Sequence, residues 1–271
     1  MQTIFRAAMA PGATGTALPS VYQVLADAGI HIRAGELTLI AGEPGAGKST
    51  IAEDMAVKMG VPGLYFSCDS DPWTMAVRLA AMKSGRLLAD EERMLNADDE
   101  HALEALNSAN HLRWVFDSSP SLEDIGLEVD AYYEVMGEDP KLIVIDNLMD
   151  IVNETGDAAH QGWQGTIREL KWLARDIGAA VIVLHHTKED TRPKTRDYEP
   201  PECPPRSAVQ GLVNQLPAMI LTLGNKFPGI MSVAAVKNRH GKADRSGNTC
   251  HWLSFDPARM QLQDQPRIGA A

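Results

Sequence analysis

Apolar positions along this chain fall into short continuous runs, set between longer segments whose apolar residues recur at helical spacing. Leu37-Thr38-Leu39-Ile40, Gly63-Leu64-Tyr65-Phe66-Ser67, Trp114-Val115-Phe116, Leu142-Ile143-Val144-Ile145-Asp146 and the stretch Ala179 to Leu184 do not alternate polar with apolar. Runs of that kind predict strands of a parallel sheet buried on both faces. Between them, Thr50 to Met59 is helix-compatible, and Asp71-Pro72 supplies a cap and first-turn residue for a helix through Met82. The turn Ser119 to Asp124 leads into a helix ending near Gly137, and Gly165 to Asp176 sets Ile167, Leu170, Ala174 and Ile177 on one stripe. Leu87 to Asn110 mixes acidic clusters with Leu and Ala, as a solvent-facing helical segment does. Ala218–Leu223, Met231–Val236 and His251–Phe255 close the series as further strands. The expected fold is α/β, a mostly parallel central sheet flanked by helices with antiparallel strands at its C-terminal edge.

The remaining stretches set the expected boundaries. Pro11, Gly12, Gly15 and Pro19 mark residues 1–34 as an arm or linker, although Ser20 to Ala28 could form a short helix. Residues 35–258 form one domain, and 259–271 a tail. Thr187 to Arg206 is rich in proline and charge without periodicity, which is the character of a functional loop.

One stretch carries chemistry. Gly42-Glu43-Pro44-Gly45-Ala46-Gly47-Lys48-Ser49-Thr50 follows a strand and opens a helix, and it meets the pattern G-x-x-x-x-G-K-S in full. Glycines let successive backbone N–H groups turn inward around a phosphate, and the helix N-terminus adds partial positive charge. Lys48 reaches β- and γ-phosphates, and the Ser49 hydroxyl is suited to Mg²⁺. ATP and Mg²⁺ are therefore the expected cofactors. Asp146, closing the run Leu142–Ile145, is the expected second metal carboxylate. The next residue is Asn147, so a base that activates water comes from elsewhere. Asp69 is the candidate, at the end of a strand expected near the P-loop strand, with Asp71 competing for the role.

Composition narrows the setting. A formal charge of −11 and a pI near 5.2 argue against a protein that coats DNA non-specifically, so any nucleic-acid site is local. The three cysteines show no C-x-x-C spacing, and neither a disulfide framework nor a zinc site is suggested. With no apolar run long enough to cross a bilayer and no signal sequence, the expected location is the cytoplasm.

Taken in order, the P-loop, Tyr65-Phe66-Ser67 followed by an acid, Leu142 to Leu148, Val183-Leu184-His185-His186 and Lys237-Asn238-Arg239-His240-Gly241 resemble the RecA-type motor domain of DnaB-like replicative helicases. Lys-Asn-Arg-x-Gly is also similar to RadA-type recombination ATPases. The resemblance spans Gly35 to Phe255 and implies a RecA-like ATPase domain of phage or plasmid type, with host cytoplasm as the location if viral. It implies that Asp69 holds the place of a catalytic glutamate with one methylene fewer. His186 matches a strand-end residue that senses the γ-phosphate, and Lys237 and Arg239 match cations that reach a neighbouring subunit's nucleotide. Such a shared site implies self-association into a ring or filament, and the resemblance makes a hexameric ring the expected form. The implied DNA-contacting loop holds Lys188, Arg192, Lys194, Arg196 and Arg206, with acidic residues that cancel their charge; the DNA would be single-stranded, forked or branched, bound without base readout.

Two other readings stay open. A RadA-like factor would process forked or four-way DNA, and nuclease activity stays open with it; the acidic cluster Asp98-Asp99-Glu100 looks more like a solvated helix face. A nucleotide-dependent switch or small-molecule kinase would have no DNA role, and the acidic balance favours it.

Overall fold

The computed structural model describes residues 15–151, 160–188 and 202–265. The chain order is α1 (Gln23–Asp27), β1 (Leu37–Gly42), α2 (Lys48–Met59), β2 (Gly63–Ser67), α3 (Pro72–Ser84), α4 (Leu88–Asn96) and α5 (Glu100–Asn107). Then follow β3 (Leu112–Val115), α6 (Leu122–Met136), β4 (Leu142–Asp146), α7 (His160–Ile177), β5 (Ala180–His186), β6 (Met219–Gly224), β7 (Ile230–Asn238), β8 (His251–Asp256) and β9 (Gln261–Asp264).

The nine strands among the described residues form one sheet, ordered β3-β2-β4-β5-β1-β6-β7-β8-β9. Pairing is parallel from β3 through β6 and antiparallel from β6 to β9. The strand carrying the P-loop, β1, is central, between β5 and β6. The continuous apolar runs are explained by helices on both faces. In β4, Leu142 and Val144 enter one core while Ile143 and Ile145 enter the other, and all four are completely buried. Burying such a side chain stabilises the fold by roughly 2 kcal/mol, so a polar residue anywhere in this run would be costly.

Local signals fix several helix ends. Asp71 accepts a hydrogen bond from the Thr74 backbone N–H at 3.0 Å and Pro72 occupies the first turn of α3. Ser121 and Asp124 form a reciprocal capping box on α6, and Gly137 ends it in the left-handed region. On α7, Ile167, Leu170 and Ala174 are buried as their spacing predicts. No described helix is long and apolar enough to cross a membrane.

Both expected boundaries move outward. From Gly15 onward the first segment is part of the domain: Tyr22, Leu25, Ile30 and Ile32 lie in the core, and Ala17 bridges Arg33. The sheet also runs past residue 258, because β9 pairs with β8. Leu262 is fully buried there, Lys58 donates to its carbonyl at 2.7 Å, and the Asp264 carboxylate accepts from the N–H groups of Gln23 and Val24 at 2.8 and 3.0 Å. The two ends of the domain cap one another, a contact between residues 240 and more positions apart that local pattern cannot reveal.

Candidate nucleotide site

Phosphate binding begins with the backbone between β1 and α2. Gly45 and Gly47 have φ of 76° and 85°, in the left-handed region that side chains avoid. At Gly47 a Cβ would also lie 2.5 Å from the terminal methyl of Met231. Ala46 N–H bonds the Glu43 carbonyl at 3.1 Å and Asn225 donates to the Gly45 carbonyl at 3.3 Å, so the turn is braced from β6's end. Lys48, at the start of α2, is buried and donates to the carbonyls of Gly42 and Glu43 at 3.2 and 3.0 Å. Burial pulls its ammonium below the usual lysine range, while Asp146 and Asp69 oppose that. Thr50 is buried behind it. Pro44 and Gly45 are exposed at the tip of the turn.

Across the β1–β4 region, Asp146 ends its strand almost fully buried. Its carboxylate accepts hydrogen bonds from Ser49 and from the Tyr65 hydroxyl, the latter at 3.4 Å. Burial pushes its pKa up, these bonds and Lys48 pull it down, and Asp69 adds repulsion. A buried carboxylate touching a serine hydroxyl, with too little positive charge beside it, is the donor set a hard cation suits. Ser49 and Asp146 therefore fit Mg²⁺, which usually keeps waters on its other positions.

Asp69 and Asp71 separate clearly. Asp69 is exposed, beyond β2, and its charge is felt by Lys48, Asp146 and His186. Asp71 caps α3, also accepting from the Thr74 hydroxyl at 2.6 Å, and Thr74's hydrogen bonds hold its carboxyl below the usual range. Asn147 accepts from the Met149 N–H at 2.8 Å and serves the turn that follows β4. His186 is registered against Gly42 across β5 and β1; burial and Lys48 lower its pKa.

Lys237 and Arg239 lie elsewhere. Arg239 approaches Glu36 at 3.5 Å, at the entrance of β1, whereas the P-loop leaves its exit. The six residues of β1 separate the two ends by about 20 Å at roughly 3.3 Å each. Lys237 donates to the Gln215 carbonyl at 2.5 Å, and burial together with the charges of Arg206, Arg239 and Lys171 lowers its pKa to about 8. Arg206 thus joins this cationic end and donates to the Asn214 carbonyl at 2.9 Å. Lys188 is exposed just after β5, its N–H bonded to the Ala208 carbonyl at 2.7 Å. Arg192, Lys194 and Arg196 lie outside the described residues.

Three residues escaped the sequence reading. Tyr65 touches Asp146. Glu53, one turn after Ser49 on α2, is completely buried, with neither carboxylate oxygen hydrogen-bonded among the described residues. Burial raises its pKa to about 8, with Arg78 opposing. Arg78 in turn donates to the Ser70 hydroxyl at 3.4 Å. The i, i+4 spacing of Ser49 and Glu53 was a usable signal; the long-range partners were not.

The chain is 34% identical over 260 residues to the Gene 65 protein of Mycobacterium phage L5, covering 93% of this chain and 95% of that protein. It is 29% identical over 174 residues to the mouse (Mus musculus) DNA repair protein RAD51 homolog 4, covering 61% of this chain and 50% of that protein. Among solved structures, an isolated ATPase domain superposes with a TM-score of 0.76 at 17% identity, covering 93% of this chain and 92% of that one. A DnaB-like replicative helicase superposes with a TM-score of 0.71 at 17% identity, covering 93% of this chain and 62% of that one. These likenesses give the fold expected from the motif order, a RecA-like P-loop ATPase core. The AAA_25 family pattern, an AAA domain, matches residues 16–192, from the first bridge beside α1 to just beyond β5, and with it the whole P-loop and Asp146; the chain belongs to that family of AAA domain proteins.

Proposed function

We propose that this protein is an ATP-driven DNA translocase or helicase of DnaB-like type, acting as a ring, a hexamer, in which each ATP is hydrolysed where two copies meet. The observation that carries the reading is the separation of Arg239 from its own P-loop by the length of β1. A cation so placed serves another copy's triphosphate or none.

In this reading Lys48 exchanges the carbonyls of Gly42 and Glu43 for the β- and γ-phosphates. Ser49 and Asp146 hold Mg²⁺, which when bound would offset phosphate charge. Asp69 orients the attacking water and takes its proton, and the neighbour's Arg239 and Lys237 meet charge on the transferred phosphoryl group. His186 sits beside Gly42 and leads directly into Thr187 and Lys188, so loss of the γ-phosphate has a short covalent route to the stretch proposed to contact DNA, with Lys188 and Arg206 at its described ends. The likeness to a DnaB-like helicase supports the DNA partner, and the phage relative supports host cytoplasm as the place of action.

A RadA-like role in branched-DNA processing is the second reading, favoured by the match to a DNA repair protein. ATPase and strand-separation assays on a forked duplex and on a four-way junction, with mass measured in nucleotide, decide between them. Unwinding of the fork with a multimeric mass supports the helicase. Activity confined to the junction supports the second reading, and ATPase indifferent to any DNA overturns both.

A further inference from the structure

Cys203 and Cys250 are 47 positions apart in sequence, yet their sulfurs lie 3.2 Å from each other. Cys203 is completely buried and Cys250 half-buried, so the second residue is the more accessible of the two. The backbone enforces the encounter. Cys203 N–H bonds the Gly247 carbonyl at 3.3 Å, and a Cβ at Gly247 would lie 2.3 Å from the Cys203 carbonyl oxygen. Gly247 also has φ of 76°, so glycine is required on two counts. On the Cys250 side, the Asp244 carboxylate accepts from the N–H groups of Ser246 and Thr249 at 2.9 Å each, shaping the turn that presents the thiol. On the other, Glu202 accepts hydrogen bonds from Ser232 and Trp252 and so pins the residue before Cys203 to β7 and β8.

We propose that Cys250 and Cys203 are a modification site for hydroperoxides, with Cys250 oxidised first and Cys203 closing a disulfide onto it. Disulfide sulfurs are about 2.05 Å apart, so closure needs an approach of roughly 1 Å, within reach of side-chain rotation. The Cys250 sulfur attacks one peroxide oxygen; the S–O bond forms, the O–O bond breaks, and the leaving oxygen departs protonated as water or an alcohol. Sulfur loses two electrons and the peroxide gains them. Cys203 then attacks the sulfenic sulfur, the S–S bond forms, the S–O bond breaks, and the hydroxide leaves as water with the Cys203 proton. The hydrogen bond between the sulfurs lowers the Cys250 pKa and raises that of Cys203, which fits this order of attack, although burial, Glu202 and Asp244 oppose ionisation of Cys250. Cys68 is a built-in control: burial pushes its thiol up to about 12. The crosslink would tie the segment that begins at Glu202 to the turn before β8.

The test is hydrogen peroxide added to the 271-residue chain, followed by thiol counting after denaturation and peptide mapping without reductant. The three thiols of the chain should fall to one, with a Cys203–Cys250 linkage reversed by dithiothreitol and Cys68 still alkylatable. The Cys203→Ser variant should instead yield a Cys250 sulfenic acid captured by dimedone. Cys203 and Cys250 both remaining alkylatable at a dose that oxidises Cys68, or crosslinks found only between molecules, would overturn the assignment.

Discussion

The Arg239 guanidinium stands 3.5 Å from the Glu36 carboxylate, which ties the candidate finger to the entrance of the strand whose exit holds the P-loop. Glu36 also accepts from His240 at 2.8 Å, so the turn after β7 is fixed to the sheet rather than left to wave. Rigid strands between the two ends mean that a finger cannot fold back on its own nucleotide.

Arg239→Ala should lose most ATP hydrolysis, by roughly 10³-fold as for fingers supplied in trans. Mixing it with Asp146→Ala should restore part of the rate, because some seams then pair an intact P-loop with an intact Arg239. Turnover is measured across mixing ratios. A flat line at the level of the two single variants would argue that the two residues never meet.

Lys48→Ala should abolish hydrolysis and weaken nucleotide binding, since it removes the buried ammonium held at the carbonyls of Gly42 and Glu43. Asp146→Asn should lower turnover by ~10²–10³-fold, the usual scale for a lost electrostatic contact to the transition state. Excess Mg²⁺ should rescue Asp146→Asn only in part and Lys48→Ala not at all. Wild-type rates in either variant would remove the assigned site.

Asp69 and Asp71 should part company in the same assay. Asp69→Asn should reduce kcat by about 10²–10⁴-fold with little change in KM for ATP, the signature of a lost general base. Asp71→Asn, altering a cap on α3, should leave kcat near the wild-type value and lower the thermal midpoint slightly. The reverse pattern would hand the base role to Asp71.

Glu53 predicts a pH dependence of stability. Its pKa rises from 4.5 to about 8 on burial, so the folded chain keeps a proton that the unfolded chain gives up. The stability tied to that proton is fully present below about pH 4.5 and is lost as pH rises toward 8, at up to about 1.4 kcal/mol per pH unit. Glu53→Gln cannot ionise. Its stability relative to wild type should therefore grow between pH 5 and 8 in urea titrations. Parallel curves for the two proteins would mean that the folded and unfolded states hold the proton alike.

Much of this was legible in advance because the signals are local. The runs at β1, β2, β4 and β5 could be read as doubly buried strands because their apolar residues are continuous rather than alternating with polar ones, and the P-loop's residue types are dictated by phosphate geometry within one turn. Asp71-Pro72 and the turn Ser119 to Asp124 announced their helices for the same reason. What stayed hidden depends on partners far along the chain. β9, reading Gln-Leu-Gln-Asp, offers one apolar residue and becomes a strand because β8 and α1 need its hydrogen bonds. Asp71 competed with Asp69 in the sequence, and only the structure shows its carboxylate taken up by the start of α3 while the charge of Asp69 reaches Lys48 and Asp146. Arg206, read as a loop cation, lies near enough to Lys237 for its charge to lower that ammonium's pKa, a proximity across 31 positions that no local pattern carries.

By itself the sequence determined a parallel α/β core with a phosphate-binding turn at the exit of one strand, because hydrophobic period and backbone sterics act within a few residues. Only the tertiary structure decided that Ser49, Tyr65 and Asp146 share one buried point while Arg239 stands a strand's length away. Those placements are set by strand order and by which charges burial leaves without partners, quantities that exist only after the chain has closed on itself.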